Sequence, residues 1–366
     1  METDTQKIRV LLADDSQIAL NIINNILSAD PRIEVIGQAS NGVEALSMVH
    51  DLKPDILCTD YHMPKMDGLE LTRRLMSESP LPILVISISV QDTPDDKDNI
   101  FRLIEAGAVD VMPKPRGGFK ADSAEANQLR QKVRLVAGVR VFSREYGVSP
   151  PVSKQHAAVK EVGRRTVTDT PYIKPEILVI GGSTGAPQIF LRILSSLPAD
   201  FSIPIVCVQH INAQFAPSMV EWLNRSSPLR VKTAYNGERM QPGSAYFSGG
   251  SRHIEVDGDV LRVSDEKGPV NGHMPSVDVL FDSVARYYPN KSIAILLSGM
   301  GNDGAAGTKR IYDSGGYTMA QDQSSSVVFG MPMEAIRIDA ASIIIKEDDI
   351  VSHILKIYNG RPGVDK

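Results

Sequence analysis

The chain has few cysteines: two, Cys58 and Cys207, among 366 residues. Each sits inside an apolar, strand-like run. That excludes a disulfide framework and a thiolate metal site, and both read as small buried hydrophobes in a reducing compartment. Aromatic residues make up only 5% and tryptophan occurs once, so the core must be built mainly from aliphatic side chains. A basic excess is missing as well. With a net charge of −5, the chain has no global positive field to draw nucleic acid or an anionic membrane. No apolar run reaches the length of a bilayer-spanning helix, and the first residues lack a signal peptide's apolar segment. The expectation is a cytoplasmic protein that neither inserts into membranes nor binds nucleic acid. Internal repeats and low-complexity tracts are also missing.

What is present is ordinary in bulk and specific in pattern. Hydrophobic residues are 42% and charged residues 23%, as in a soluble globular protein, and the length suits two or three domains. From residue 7, short apolar runs alternate with amphipathic segments. Strands are expected at 7–13, 33–39, 55–59, 82–87 and 109–112, and helices at 16–28, 42–50, 68–77, 96–106 and 123–137. Such β–α repeats predict a parallel sheet covered on both faces. Between 139 and 175 the periodicity lapses, around Pro150-Pro151, Pro171 and Pro175, and the stretch reads as a solvated linker. The expected layout is a first domain at 1–138, a linker at 139–175 and a second α/β domain at 176–366. The second is expected to hold strands at 177–181, 203–209 and 293–298, hairpins between 231 and 263, and a helix at 277–287.

In an open parallel sheet, ligands bind beyond the carboxyl ends of the strands. In the first domain those ends carry Asp14 and Asp15, then Asp60, Ser87 and Lys114. Converging carboxylates repel one another unless a hard cation joins them, and Mg²⁺ with oxygen ligands meets that need. Asp60 can then accept a phosphoryl group, with Ser87 bonding one of its oxygens and Lys114 pairing with another. The plain alternative is a set of unrelated polar residues at strand ends. The arrangement resembles the response-regulator receiver family over about 7–138. Asp60-Tyr-His-Met-Pro-Lys-Met-Asp-Gly68 is similar to its phosphoacceptor loop, and Lys114-Pro115 to its lysine, usually followed by a cis peptide. The resemblance implies a flavodoxin-like fold and phosphotransfer from a histidine kinase onto Asp60. It also implies Mg²⁺ held by Asp15, Asp60 and the backbone carbonyl of His62, with Asp14 assisting through water. Val111 stands where the family usually has an aromatic ring, which leaves the route of signal output open.

In the second domain, 177–185 reads Ile-Leu-Val-Ile-Gly-Gly-Ser-Thr-Gly, an apolar strand running into Gly-x-Ser-x-Gly. This pattern lifts a serine hydroxyl, here that of Ser183, onto a sharp strand-to-helix turn. Ile189, Phe190, Ile193, Leu194 and Leu197 continue at helical spacing, so a helix N-terminus points partial positive charge at any anion formed there. A phosphate cradle or a mere tight connection fits the same glycines. A nucleophilic serine needs a base, and His210 follows the apolar run of Val-Cys-Val-Gln-His onto the same sheet edge. His253 and His273 lie in hairpin or loop contexts, while His50, His156 and His353 are expected at the surface. Asp303, after a glycine-rich strand end, either orients the base or caps the helix that starts near Gly304.

Taken together, 176–358 resembles the catalytic domain of the chemotaxis protein-glutamate methylesterases. The matching stretches are Gly-Gly-Ser-Thr-Gly, Val-Gln-His, Ala-Tyr-Phe-Ser-Gly-Gly-Ser-Arg-His, His-Met-Pro-Ser-Val-Asp, Gly-Met-Gly-Asn-Asp-Gly and Phe-Gly-Met-Pro. The resemblance implies a Rossmann-like doubly wound domain with Ser183 as nucleophile, His210 as general base and Asp303 as its orienting acid. Thr184 would support the histidine, Met300 would give an oxyanion N–H, and His273 would line the cleft. Gly182 and Ala186 stand where the family commonly has alanine and glycine. The implied reaction is hydrolysis of glutamate γ-methyl esters on a chemoreceptor's cytoplasmic helices, with release of methanol, and deamidation of glutamine. The esterase half is expected to need no cofactor. Two rivals are a phosphorylation-controlled binding module with an inactive esterase-like domain, and a response regulator with a nucleic-acid output. The second lacks a helix-turn-helix and a basic recognition helix.

Overall fold

A computed structural model describes residues 7–87, 99–115, 123–139, 141 and 173–360. The chain divides into two compact units, Met1–Gln155 and His156–Lys366. That division falls inside the stretch read as a linker, nearly all of which lies outside the described residues. Among the described residues, no helix is long and apolar enough to cross a membrane.

The first unit alternates strictly. Its strands are β1 (Ile8–Ala13), β2 (Ile33–Ala39), β3 (Ile56–Thr59), β4 (Ile83–Ser87) and β5 (Asp110–Pro113). Its helices are α1 (Gln17–Ser28), α2 (Gly42–Leu52), α3 (Gly68–Glu78), α4 (Asn99–Ala106) and α5 (Ala124–Ala137). The strands form one parallel sheet in the order β2-β1-β3-β4-β5. Central strands β3 and β4 are buried at every position, as expected of a sheet covered on both faces. Side chains that cap free N–H groups set the helix starts. Ser16 accepts from Ala19 N, Asn41 from Glu44 N, Asp67 from Glu70 N and Ser123 from Ala126 N. Glu44 bonds back to Ser40 N at 2.8 Å, so α2 is fixed from both sides.

The second unit is built on a seven-stranded parallel sheet. It runs through β6 (Ile177–Gly182), α6 (Ala186–Ser196), β7 (Ile205–Gln209), α7 (Ala216–Ser226) and β8 (Arg230–Thr233). Next come β9 (Glu238–Arg239), β10 (Ser244–Phe247), β11 (His253–Asp257), β12 (Val260–Ser264) and α8 (Val277–Tyr287). The chain ends with β13 (Ser292–Leu296), α9 (Ala305–Asp313), β14 (Tyr317–Gln321), α10 (Met331–Arg337), β15 (Ile343–Ile345) and α11 (Ile350–Tyr358). The sheet order is β15-β14-β13-β6-β7-β10-β8. The expected hairpin region therefore divides: β8 and β10 join the large sheet in parallel, and only β9, β11 and β12 form a small antiparallel sheet.

This order fixes where a site must lie. The chain leaves β6 towards β7 and returns on its other side at β13, so the strand order reverses between β6 and β13. A crevice opens at such a reversal beyond the carboxyl ends. The first unit reverses in the same way between β1 and β3. Beneath the crevice of the second unit, Ile177, Val179, Val277, Leu280, Phe281, Ala294 and Leu296 form a buried cluster.

Candidate active site

Ser183 stands one residue beyond β6. Its N–H donates to Ser298 O at 2.9 Å, across the reversal, and its carbonyl accepts from Gln209 Nε2 at 2.8 Å. Gly185 follows in the left-handed region at φ 84° and opens α6, so the chain turns from strand to helix within three residues. Ser298 supports the turn from the other side. Its hydroxyl donates to Thr184 O at 2.8 Å and accepts from Val328 N at 2.9 Å. Thr184 itself is buried.

His210 follows β7, its N–H bonded to Gly182 O at 3.0 Å. The imidazole Nε2 lies 2.8 Å from Asp303 Oδ2, and Nδ1 is buried with no hydrogen-bond partner. A carboxylate accepts only, so Nε2 carries the hydrogen and Nδ1 the lone pair. His273 brings its ring flat against that of His210.

Asp303 is fully buried. It accepts from Ser276 Oγ at 2.7 Å, Val277 N at 2.7 Å and Asp278 N at 3.2 Å, besides His210. Burial pushes its carboxyl up, but the His210 contact and these donors outweigh that and hold it well below the usual range. Its alternative role is overturned: α9 is capped by Gly304 at φ 89° with no side-chain bond, and Asp303 points to His210 instead. Behind it, burial pushes the Asp278 carboxyl up, with the charge of Asp303 adding to the effect.

The remaining predicted residues fall as follows. Gly299 N–H is committed to Val328 O, and Met300 comes next, its side chain about half exposed. His253 lies in a hairpin as expected, as the first residue of β11, which pairs antiparallel with β12, and it is buried. His353 is half-buried rather than at the surface, its Nε2 2.8 Å from Tyr317 Oη, because α11 packs that face inward. His50 is exposed, and His156 lies outside the described residues. Cys58 and Cys207 are buried, and burial pushes the Cys58 thiol up to about 12.

In the first unit, oxygens of Asp14, Asp15 and Asp60 lie within 4.8 Å of one another. Ser87 Oγ donates to Asp60 Oδ1 at 2.7 Å, and Lys114 Nζ donates to Asp60 Oδ2 at 2.6 Å. Lys114 Nζ also lies 2.7 Å from Asp14 Oδ2, an ion pair whose angle leaves that buried oxygen without an aligned hydrogen bond. Burial pushes the Asp14 carboxyl up despite the lysine. Three carboxylates around a poorly satisfied buried oxygen fit a hard divalent cation. Gly68 closes the loop: a Cβ there would stand 2.2 Å from Asp60 O. Val111 is buried in β5. The one cis peptide among the described residues is Met274-Pro275, so the expected cis bond at Lys114-Pro115 is not found.

Several site residues were not singled out in the sequence. Ser276 and Asp278 look locally like a helix cap and a first-turn acid. Ser298, Gln209 and Asn271 look like ordinary strand-end or turn residues. Gln209, Ser276 and Asp278 lie within the stretches that carry the resemblance, and their long-range partners give them their place in the site.

A phosphoacceptor pocket on one sheet, and a serine, an imidazole and a buried carboxylate on another, define a receiver unit joined to a hydrolase unit. Residues 10–120 match the family described as response regulator receiver domain, and residues 178–354 the one described as CheB methylesterase. A protein-glutamate methylesterase/protein-glutamine glutaminase 4 of Myxococcus xanthus (strain DK1622) is 37% identical over 358 residues, 98% of this chain and 99% of that one. Its counterpart 1 from Syntrophus aciditrophicus (strain SB) is 38% identical over 352 residues, 96% of this chain and 98% of that one. The solved CheB methylesterase catalytic domain of Thermotoga maritima is 34% identical, and its full length (100%) aligns with 50% of this chain at a TM-score of 0.48. The chain belongs to the protein-glutamate methylesterase/protein-glutamine glutaminase family, with a receiver domain ahead of the methylesterase domain.

Proposed function

We propose that this chain hydrolyses glutamate γ-methyl esters on the cytoplasmic helices of a chemoreceptor, through Ser183, His210 and Asp303. The observation that carries the reading is the polarity of His210. Asp303 holds Nε2–H, and a buried, unpartnered Nδ1 is left to take a proton. Ser183 Oγ attacks the ester carbonyl carbon while its proton passes to His210 Nδ1. The buried Asp303 carboxylate stabilises the imidazolium so formed. Negative charge gathers on the carbonyl oxygen, where the Met300 N–H is the donor the turn offers once Gly299 N–H is committed. The tetrahedral adduct collapses, the C–O bond to methoxide breaks, and His210 returns the proton to release methanol. Water, deprotonated by His210, then cleaves the acyl-serine and frees the glutamate carboxylate and Ser183. With glutamine the leaving group is ammonia. Thr184 supports the histidine, and His273 lines the cleft.

The receiver governs this activity through phosphorylation of Asp60, with Ser87 and Lys114 contacting the phosphoryl group and a histidine kinase as donor. Asp15, Asp60 and the His62 carbonyl would hold Mg²⁺, with Asp14 assisting, and the ion would offset charge on the incoming phosphoryl group. Residues 1–138 form the receiver, 139–175 the linker and 176–366 the esterase.

Methanol release from methylated receptor membranes, with and without a small phosphodonor and Mg²⁺, tests this reading. Ser183→Ala should lower release by at least about 10³-fold. Asp60→Asn should abolish the response to phosphodonor. Release undiminished in Ser183→Ala would overturn the assignment.

A further inference from the structure

Among the described residues of the second unit, His253 is the most buried histidine. It opens β11, pairs in register with Ser264 of β12, and is 1% exposed. Both ring nitrogens are engaged. Nε2 lies 2.7 Å from Gly268 O, and Nδ1 lies 3.2 Å from Ser276 N. A carbonyl only accepts, so Nε2 carries the hydrogen; Ser276 N–H only donates, so Nδ1 offers its lone pair. The two contacts demand the same neutral tautomer. The ring is therefore spoken for and is no reserve base.

What it holds matters more. Ser276 begins the segment that supplies Asp303 with its donors: Ser276 Oγ at 2.7 Å, Val277 N at 2.7 Å and Asp278 N at 3.2 Å. The Ser276 hydroxyl also accepts from Val279 N at 3.4 Å, as the cap of α8. The start of a helix is thus aimed at the carboxylate, and His253 fixes the residue at its tip. A carboxylate whose donors are displaced turns within its pocket, and a displacement of that kind is felt at the reacting atoms through the base it orients.

We propose that His253 is a positioning residue of the esterase: by accepting the Ser276 N–H, it holds residues 276–278 so that Asp303 keeps His210 in its working orientation. The role rests on the assignment of Ser183, His210 and Asp303 above. It acts on the chemical step and leaves substrate binding alone.

The test uses the full chain, activated by phosphodonor, and reads methanol release as kcat and KM. His253→Asn keeps an acceptor close to the position of Nδ1, whereas His253→Gln keeps a donor towards Gly268 and loses that acceptor. His253→Asn should stay within about threefold of the parent kcat, and His253→Gln should fall about tenfold, with KM changed less than about twofold in both. Equal kcat for the two variants, or a loss carried by KM, would overturn the role. Ser183→Ala run beside them separates the two questions, because release that survives it sinks the triad assignment itself. A measurement on the parent chain covers variants that fail to fold. The imidazole ¹⁵N shifts of His253 should give a neutral ring protonated at Nε2, and a charged or Nδ1-protonated ring would overturn the proposal.

Discussion

His273 lies flat on His210, with ring centroids 3.9 Å apart and planes 2° from parallel. The loop that presents it is fastened at both ends. Val270 and His273 exchange backbone hydrogen bonds of 2.9 and 3.0 Å, and Asn271 Nδ2 donates to Asp278 Oδ2 at 2.7 Å. The stacked ring leaves His210 little freedom to tilt. An aromatic pair of this kind contributes about 0.5–1.5 kcal/mol beyond its area. His273→Phe should therefore stay within about threefold of the parent kcat, while His273→Ala should fall up to about tenfold. Equal losses in steady-state methanol release would show that the polar atoms of His273, not its face, are what the site uses.

Gly182, the last residue of β6, and Ala186, the first of α6, share one small space. A Cβ at 182 would lie 2.5 Å from Ala186 Cβ, so one methyl fits between strand and helix and two do not. Gly182→Ala should destabilise the esterase unit by about 1–3 kcal/mol. Adding Ala186→Gly should return part of that loss. Urea unfolding of both single variants and the double variant gives a coupling energy, expected at about 1 kcal/mol or more. Additive losses would contradict the contact.

Ser298 joins three segments through one hydroxyl, with Thr184 O on one side and Val328 N and O on the other. Its N–H is held by Gln321 Oε1 at 2.7 Å. Ser298→Ala leaves the Val328 N–H and Thr184 carbonyl without that partner in a dry interior. A cost of about 1–3 kcal/mol in unfolding free energy is expected. The kcat should drop as well, because Thr184 directly follows Ser183, the proposed nucleophile. An unchanged unfolding midpoint would mean that water replaces the hydroxyl.

Acid should act on the first unit through Asp30. Arg32 bonds its carboxylate at 3.0 Å, burial opposes the effect, and Arg134 of α5 adds a second cation; together they hold the group down at about 2. The folded value lies below the ordinary one, so this stabilisation is complete above the unfolded value of 3.8. It is lost as pH falls from there towards 2. Thermal melts of the full chain between pH 5 and pH 2 should show this slope in the receiver transition, and Asp30→Asn should flatten it. A slope unchanged in the variant would assign acid sensitivity to other carboxylates.

Much of this is legible in the sequence itself, for a physical reason. Fully buried parallel strands such as β4 and β6 read as unbroken apolar runs, and the catalytic candidates Ser183, His210 and Asp303 sit where such runs stop. The losses have physical reasons too. β14, Tyr-Thr-Met-Ala-Gln, is buried at every position yet carries polar Thr318 and Gln321, whose partners are Ala340 O and the Ser298 N–H. No apolar period marks it. β10 is four residues long and follows a turn, so it looks like hairpin material until its parallel neighbours are known. Asp303 posed the sharpest choice. A glycine after it fits a cap, and its bonds to His210, just beyond β7, and to the start of α8 show that the carboxylate faces inward.

The reversal of strand order that makes the crevice also sets when it can exist. β6 pairs with β13 through partners such as Ile177 and Ser292, more than a hundred positions apart in the chain. Local contacts cannot bring them together, and non-local pairing of this kind is slow. A ribosome that has released Ser183 and His210 has still not delivered Asp303, nor β13, the strand that leads to it. Esterase activity through Ser183, His210 and Asp303 therefore requires β13 to have joined the sheet, so a chain cut short ahead of it lacks the assembled site.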